Sequence, residues 1–445
     1  MNRANAIKIL QFGEGRFLRA FMEDMLQQVN EEAGYRGSVC IVKPRDGGSL
    51  DAFARQGNVY TLLLRGKKNG ETVETSRRID SIRSVYYGSG DYRKYMSLAE
   101  SDELKLVVSN TTEAGIRFDP EDRSPQDPPA TYPGKLTAFL YRRFQTFAKA
   151  KEADQSGLVI LPLELNENNA DLLQATIVRY AEHWGLEREF LSWLEEANLF
   201  CNTLVDRIVT GSADSLTVTA EPYGSLVIET DRADDVLRAF PFDRCGLEVT
   251  FTEDITPYRQ QKVRLLNGIH TSICLTGLMM GLKHVDECMS HPLMRRYINM
   301  LISEEIMPTI PLSQETVKAF ADSVIERFEN PFLHHRLQDI ALNSVSKWKT
   351  RILPTVMDYR KMRGRLPEGL MFSLAALLVY YDGGWKQCGI DRLGDSDNAA
   401  EILASCGELE VCAKKLVSDI KGCGVEKTLE TITAEGEGNA DQDHS

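Results

Sequence analysis

Three residues in one predicted helix have the side chains needed for carbonyl chemistry. Lys262, Asn267 and His270 lie in the segment RQQKVRLLNGIHTSICLTGLMMG, which begins at Arg259. In an α-helix Asn267 lies about 140° and His270 about 80° around from Lys262, so we expect all three on one half of the cylinder. A lysine can exchange the proton, an amide can bind the reacting oxygen and an imidazole can orient the substrate. Because lysine and asparagine are also ordinary surface residues, the spacing alone favours a solvated helix.

A second signal lies near the N-terminus, where a strand-like run at residues 7–10 leads into Gly13 and Gly15. From residue 17 to residue 29 the apolar side chains recur at helical spacing. A strand, a glycine turn and a helix are typical of a dinucleotide-binding unit. Gly13 permits the tight turn, and Gly15 lets the backbone approach a pyrophosphate at the start of the helix. Leu18 stands where the full pattern has a third glycine.

The next strand, predicted over residues 38–42, ends without the acidic residue that usually binds the ribose 2′-hydroxyl of NAD. Lys43 and Arg45 come first, and Asp46 follows. Either Asp46 reaches the ribose, or the two basic residues leave room for the 2′-phosphate of NADP. We expect NAD with Asp46 as a ligand, and the sequence leaves NADP open.

Two further apolar runs, at residues 104–108 and 158–161, end in the polar loops SNTTEAGI and LELNENN. Ligands of open α/β sheets bind beyond the carboxyl ends of the strands, so we expect cofactor and substrate loops here. For any single asparagine in these loops, capping the next helix is the more frequent role. A further strand is predicted over residues 223–229.

The chain has 445 residues, which is too long for one ordinary core. Helical periods dominate after Pro257. We therefore predict an α/β fold class, with a Rossmann-type NAD(P)-binding domain over residues 1–245. An all-helical substrate and catalytic domain follows over residues 246–424. Residues 425–445 are acidic and poor in large apolar side chains, which predicts a disordered tail.

Composition excludes several classes of function. The net charge of −13 argues against a nucleic acid partner. An anionic substrate would need local cations, which Arg259 and Arg264 supply beside Lys262. Nine cysteines form no C-x-x-C pair and no H-E-x-x-H motif occurs, so we expect no metal site. No apolar stretch predicts a signal peptide or a membrane span, and we expect a cytoplasmic protein.

Taken together, these signals resemble the mannitol dehydrogenase family, the polyol-specific long-chain dehydrogenases. The matching stretches are QFGEGRFLRAF, SNTTEAGI, FCNTLVDRIV, TPYRQQKVRLLNGIHT, NPFLHHRLQDIALNSVSKWKTRILP and FSLAALLVYY. The first stretch and the lysine-bearing helix are specific to the broad family, whereas SNTTEAGI and NPFLHHR point to its hexuronate-reducing branch.

The resemblance implies a metal-independent, NAD-linked oxidoreductase in which a Rossmann domain precedes a helical domain. The implied reaction is reduction of D-tagaturonate to D-altronate and its reverse, with a small-molecule sugar acid as the substrate and no nucleic acid or membrane as a partner. A fructuronate reductase or a mannitol-type dehydrogenase on the same scaffold is the nearer alternative. A non-catalytic dinucleotide-binding protein is the remoter one, and the oligomeric state stays undecided.

Residue by residue, the resemblance implies that Lys262 is the catalytic acid and base, Asn267 binds the reacting oxygen and His270 orients the substrate. In mannitol-type members a further oxygen-binding asparagine follows an acidic residue after the strand at residues 158–161. This chain has Glu164 followed by leucine there, so Asn169 is the nearest candidate, with an asparagine at position 166 behind it.

The remaining site residues are expectations of the same kind. The residues expected to bind the cofactor lie in the glycine turn, after the second strand and in the SNTTEAGI loop: Phe12, Gly13, Gly15, Arg16, Phe17, Asp46, Asn110 and Thr111. The residues expected to bind the substrate carboxylate are Arg259, Arg264 and Arg336.

Overall fold

The computed structural model describes residues 5–45, 47–149, 156–211, 216–382 and 407–440. The chain divides into two compact units. Unit 1 runs to Arg65 and from Val73 to Ile255, and unit 2 holds the segment Gly66–Thr72 and the chain from Thr256 onward. The division falls ten residues after the expected boundary at residue 245.

The strands of the described residues are β1 (Ala6–Phe12), β2 (Gly37–Lys43), β3 (Tyr60–Lys68), β4 (Glu71–Ile79), β5 (Ile82–Tyr87), β6 (Leu106–Ser109), β7 (Val159–Pro162), β8 (Leu199–Phe200), β9 (Thr203–Asp206), β10 (Val209–Thr210), β11 (Val218–Ala220), β12 (Ser225–Glu229) and β13 (Glu248–Thr252). Six of them form a parallel sheet in the order β5-β2-β1-β6-β7-β8. This doubly wound order has its switch point between β1 and β6, and it confirms the Rossmann-type prediction. Two smaller sheets follow the orders β10-β11-β3-β4 and β13-β12-β9.

The helices of unit 1 are α1 (Arg16–Ala20), α2 (Met22–Glu32), α3 (Asp51–Arg55), α4 (Tyr92–Met96), α5 (Tyr132–Lys149), α6 (Asn169–His183), α7 (Arg188–Glu196) and α8 (Ala233–Ala239). They cover both faces of the parallel sheet. Ile9 of β1 packs with α1, α2 and α8, whereas its neighbour Leu10 packs with α4 to α7. Because side chains alternate between two buried faces, the central strands are apolar at nearly every position.

The predicted first helix is broken once. The apolar period runs through residues 17–29, but α1 and α2 are separate because Phe21 has φ −124° and ψ −81°. The spacing of apolar residues does not reveal a single residue outside helical geometry, because the apolar side chains on both sides of the break still fall at nearly helical intervals.

Unit 2 is helical, as predicted. Its α-helices among the described residues are α9 (Thr256–Gln261), α10 (Ile269–Met279), α11 (Val285–Ser290), α12 (Pro292–Met300), α13 (Gln314–Phe328), α14 (Leu337–Ala341), α15 (Ser344–Arg351), α16 (Leu353–Arg363), α17 (Glu368–Tyr381), α18 (Gly407–Cys423) and α19 (Val425–Ala440). Two π-helices, Lys262–Gly268 and Leu301–Ile306, interrupt the α-helical geometry.

The apolar helix α17 begins at a buried carboxylate. Glu305 accepts hydrogen bonds from the backbone N–H groups of Gly369 (2.7 Å) and Leu370 (2.8 Å). These N–H groups have no partner within a helix, so an acceptor must come from outside it. Burial raises the pKa of Glu305 to about 7.

The expected disordered tail is wrong over residues 425–440, which form α19. Leu429 and Ile432 are buried in the helical core, and Thr428 and Thr433 are buried beside them. Composition misled the prediction, because a few buried side chains on one face suffice to hold a helix against a core. Residues 441–445 lie outside the described residues. No helix in the described part of the chain is long and apolar enough to cross a membrane.

Candidate active site

The glycine turn after β1 brings two strand ends together. Gly13 has φ +121°, and its N–H donates to the carbonyl of Val42 (2.9 Å). A Cβ atom at this position would lie 2.8 Å from the carbonyl oxygen of Asn110, so the turn requires glycine. The structure contradicts a cofactor contact by Phe12. Its ring is fully buried 4.9 Å from that of Tyr132, and its carbonyl accepts the Asn110 N–H (3.0 Å).

Gly15 lies in open space at the start of α1. It has an extended conformation, and a Cβ atom there would meet nothing within 4 Å. The first N–H groups of a helix lack helical partners, so the turn fits a pyrophosphate. Arg16 and Phe17 follow at once, but both are engaged within unit 1. The Arg16 guanidinium donates to the carbonyl of Gly211, and Phe17 stacks on Phe21 with ring centroids 4.9 Å apart.

A buried polar network supports the turn from behind. The Gln11 amide donates to the carbonyl of Gly13 (2.9 Å) and to the carboxylate of Glu23 (2.5 Å). The Tyr60 hydroxyl lies 2.7 Å from the other Glu23 oxygen and contacts the carbonyl of Arg19. Burial raises the pKa of Glu23 to about 7, although the bonds from Tyr60 and Gln11 and the charge of Arg19 act in the opposite direction. Glu23 thus holds Gln11, and Gln11 holds the Gly13 carbonyl.

The tip of β2 carries an ion pair in place of a lone acidic residue. Lys43 pairs with Glu14 of the glycine turn, and both side chains are partly buried. The expected ribose ligand, Asp46, lies outside the described residues. A cation at the end of β2 is therefore already matched by a carboxylate from the turn.

The loop after β6 is organised by Glu164. Its carboxylate accepts hydrogen bonds from the Thr111 N–H (2.9 Å) and the Thr111 hydroxyl (3.0 Å). The Asn110 amide donates to the carbonyl of Leu163. Both residues predicted to bind cofactor therefore shape the loop through their side chains. Thr112 follows at φ +80°, a strained conformation for a β-branched residue, and burial raises the pKa of Glu164.

The structure contradicts an oxygen-binding role for Asn169. Its amide nitrogen lies 2.9 Å from the carbonyls of Pro162 and Glu164, and its oxygen accepts the Thr203 N–H (3.0 Å). These bonds connect the end of β7 to the start of β9 and leave the buried amide no capacity for a substrate. Asn166 has a buried side-chain oxygen without a hydrogen-bond partner in the described part of the chain.

Lys262 and Asn267 lie in the first π-helix. In the i→i+5 pattern of a π-helix, residues five apart are neighbours along one face, as residues four apart are in an α-helix. In this π-helix Lys262 and Asn267 therefore lie on the same face, whereas in an α-helix they would lie about 140° apart. Both are half-buried, and within the described residues no hydrogen bond engages the Asn267 side chain.

His270 lies in a buried aromatic setting at the start of α10. Its ring stacks on Phe328 with centroids 4.3 Å apart and meets His335 at 5.0 Å. Burial lowers the pKa of His270 well below its usual value, and His335, Arg327 and Arg351 act in the same direction. The imidazole is thus neutral, with one N–H donor and one acceptor nitrogen.

The structure does not leave Arg264 free for a substrate carboxylate. Its guanidinium donates to the carbonyl of Thr309 (2.8 Å) and to the carboxylate of Asp358 (2.5 Å), and the residue is 6% exposed. The expectation that it binds substrate is therefore corrected. Two protein acceptors within unit 2 already hold the buried charge of Arg264.

The other two predicted arginines differ in setting. Arg259 is half-buried on α9, three residues before Lys262. Arg336 is exposed and donates to the side chain of Gln338 (2.8 Å). Water screens the charge of an exposed side chain such as that of Arg336.

Family models match most of the chain. Residues 7–238 match the mannitol dehydrogenase Rossmann domain, and residues 254–403 match the mannitol dehydrogenase C-terminal domain. The chain belongs to the mannitol dehydrogenase family. Within this family its glycine turn falls in the first matched domain, and Lys262, Asn267 and His270 fall in the second.

Relatives inside the mannitol dehydrogenase family include curated altronate oxidoreductases. The protein of Bacillus subtilis is 44% identical over 389 residues, which is 84% of this chain and 79% of the relative. The protein of Bacteroides thetaiotaomicron is 38% identical over 429 residues, which is 93% of this chain and 88% of the relative.

Solved structures show the same mannitol dehydrogenase fold. A substrate-free D-sorbitol dehydrogenase has a TM-score of 0.78 at 22% identity, covering 96% of each chain. Pseudomonas fluorescens mannitol 2-dehydrogenase, in a ternary complex with NAD and D-mannitol, has a TM-score of 0.67 at 21% identity. That match covers 97% of this chain and 95% of the other. At such identities the likeness establishes the fold alone.

Sequence reasoning missed the residues that support the predicted site. Gln11 and Glu23 lie on either side of the glycine turn in sequence, and Glu164 comes three residues after the strand predicted over residues 158–161. A search for polar residues in or just after apolar runs would have pointed to all three. The π-helix left no comparable signal. Its pattern KVRLLNG is compatible with ordinary α-helix, and only the packing shows which hydrogen bonds form.

Substitutions at the two glycines of the turn should have different effects, one on stability and the other on cofactor binding. Gly13→Ala should destabilise unit 1 by about 1–3 kcal/mol, because it combines a positive φ with a backbone clash. Gly15→Val should leave the melting temperature nearly unchanged but weaken NADH binding about tenfold or more, because its side chain fills the space a pyrophosphate needs. Thermal unfolding and fluorescence titration with NADH measure the two effects. Unchanged NADH affinity in folded Gly15→Val would show that the turn binds no phosphate.

The buried Glu23 predicts a pH-dependent stability. Because its pKa is about 7 in the folded protein, against an ordinary value of 4.5 for glutamate in the unfolded chain, the folded protein holds the proton more tightly. Its contribution is thus complete below pH 4.5 and is lost as the pH rises through 7, by up to about 3 kcal/mol. Urea unfolding at pH 5 and pH 8 should show a smaller difference for Glu23→Gln than for wild type. The exposed-site control Glu121→Gln should behave as wild type, and equal pH dependence in all three would contradict the assignment.

Proposed function

We propose that this protein is an NAD-linked altronate oxidoreductase, which interconverts D-tagaturonate and D-altronate. The observation that carries the proposal is 44% identity to a curated altronate oxidoreductase along most of both chains. The buried, neutral His270 and the aligned Lys262 and Asn267 supply the polar groups that a carbonyl reduction needs.

The glycine turn holds the dinucleotide in this proposal. The helix start at Gly15 binds the pyrophosphate, and bound NADH supplies the hydride that the keto carbon receives. The Glu14–Lys43 pair supports NAD as the cofactor. A 2′-phosphate at the tip of β2 would have to compete with Glu14 for Lys43, whereas a 2′-hydroxyl is a neutral partner that can bond to the carboxylate.

Lys262 and Asn267 act on the reacting oxygen. Negative charge grows on this oxygen during reduction, and the Asn267 amide donates a hydrogen bond that strengthens as the charge develops. Lys262 then delivers the proton, and in the oxidative direction it removes the proton from the alcohol. His270 orients a substrate hydroxyl through a neutral ring nitrogen, because its depressed pKa keeps it unprotonated at neutral pH.

A substrate and cofactor panel tests the proposal. We expect rapid oxidation of NADH with D-tagaturonate and a kcat/KM at least about tenfold lower with NADPH, as the Glu14–Lys43 pair disfavours a phosphate. The reaction is followed by absorbance at neutral pH, with D-fructuronate and D-fructose as the competing substrates. A higher kcat/KM with D-fructuronate would assign a fructuronate reductase, and no turnover of any substrate would contradict an active oxidoreductase.

Lys262 can be tested without disturbing the cofactor. Lys262→Met should lower kcat and kcat/KM together by about 10² or more, as expected for loss of a general acid and base. NADH affinity should stay within about twofold, since other residues hold the cofactor. Lys318→Met removes an exposed lysine from α13 and is the matched control. Near wild-type turnover of Lys262→Met would refute the assignment.

A further inference from the structure

Arg351 is a partly buried cation beside the candidate active site. It is the last residue of α15, and its backbone oxygen lies 3.7 Å from where a Cβ of Gly268 would stand. Its guanidinium donates to the hydroxyl of Thr271 (3.4 Å), and that hydroxyl donates to the carbonyl of Asn267 (2.8 Å). Arg351 is therefore linked to the backbone of Asn267 by two hydrogen bonds that share the Thr271 hydroxyl.

The same guanidinium influences His270 electrostatically. The charge of Arg351 is one of the influences that lower the pKa of His270, so the two groups are electrostatic neighbours. Thr271, which accepts the Arg351 bond, is the next residue after His270 on α10. The cation, the amide and the imidazole are thus gathered around one turn of helix in unit 2.

Arg351 has capacity for a ligand. A guanidinium offers five N–H donors in a planar fork, and the 3.4 Å bond to Thr271 is at the long limit for a hydrogen bond. Within the described part of the chain no aspartate or glutamate pairs with it. Burial lowers the pKa of Arg351, because it takes the charge partly out of water.

Its neighbours are less suited to a ligand. Arg264, on the π-helix, is already held by Asp358 and the carbonyl of Thr309. Lys347 also raises the positive potential at His270, but its ammonium donates to the carbonyl of Ile340 (2.9 Å). Arg351 combines proximity to Asn267 with unused donors, which neither neighbour does.

We propose that Arg351 binds the carboxylate of the substrate and so selects a sugar acid over the corresponding neutral ketose. The inference rests on the proposed function and names the residue that sets its substrate class. A planar guanidinium can hold a carboxylate through two parallel N–H···O bonds, which fixes direction as well as charge. A substrate held at Arg351 extends along the face of unit 2 that carries Asn267 and His270. Arg351 thereby replaces Arg264 as the candidate carboxylate ligand.

The test compares a charged and an uncharged substrate. D-Tagatose carries a CH₂OH group where D-tagaturonate carries the carboxylate. Wild type should prefer D-tagaturonate by about 10² or more in kcat/KM, because a charge-assisted pair in a partly desolvated site is lost with the neutral ketose. Arg351→Met should lower kcat/KM for D-tagaturonate by about 30-fold or more, mainly through KM, and should leave D-tagatose almost unchanged.

Two further variants separate binding from folding. Arg351→Lys keeps the charge without the fork and should recover part of the preference, whereas Arg296→Met removes an exposed arginine from α12 and should keep all of it. Equal losses with both substrates would assign Arg351 a structural role and overturn the inference. A full preference in Arg351→Met would also overturn it while leaving the proposed function intact. Failure of wild type to reduce D-tagaturonate would instead refute the proposed function.

Discussion

A polar side chain that folding removes from water must find its hydrogen-bond partners inside the protein. This constraint decides which residues of both units are available for chemistry. Asn169 and Arg264 have the side chains of site residues, but neighbouring carbonyls and a carboxylate already occupy them. Asn267 and Arg351 keep donor capacity, and the Thr271 hydroxyl links the Arg351 guanidinium to the Asn267 carbonyl in unit 2. The candidate site consists of polar side chains whose hydrogen-bonding groups are not fully used within the fold.

Buried carboxylates supply several of these internal hydrogen-bond partners. Glu23 holds the amide behind the glycine turn, Glu164 holds the loop after β6, and Glu305 accepts the first N–H groups of α17. Each lies at a place where the backbone would otherwise leave a polar group unpaired or a loop unrestrained. Burial raises the pKa of all three carboxyl groups, so their protonation is coupled to the local geometry.

The sequence predicted features that recur with a fixed period or a fixed turn. The parallel strands, the glycine turn and the helical second unit all follow from such patterns, and the structure agrees with each. It failed where a single residue or a tertiary contact decides the outcome. The helix break at Phe21 does not disturb the spacing of the apolar residues, so the spacing does not reveal it. The buried Leu429 and Ile432 are too few to change the acidic composition from which the tail was predicted. Asn169 is bonded to Thr203, which lies 34 residues further along the chain. The role expected of Phe12 failed because a strand residue beside a turn points into the sheet core.

The π-helix changes what the spacing of a motif means. Five residues separate Lys262 from Asn267, and they share a face only because this segment follows the i→i+5 pattern. In an α-helix the same two side chains would share a face at a separation of four residues. A related protein with a shorter spacing in an unbroken α-helix can therefore present the same pair of groups. The chemistry depends on the two side chains pointing in the same direction. The number of residues that must separate them depends on whether the helix is of the α or the π type.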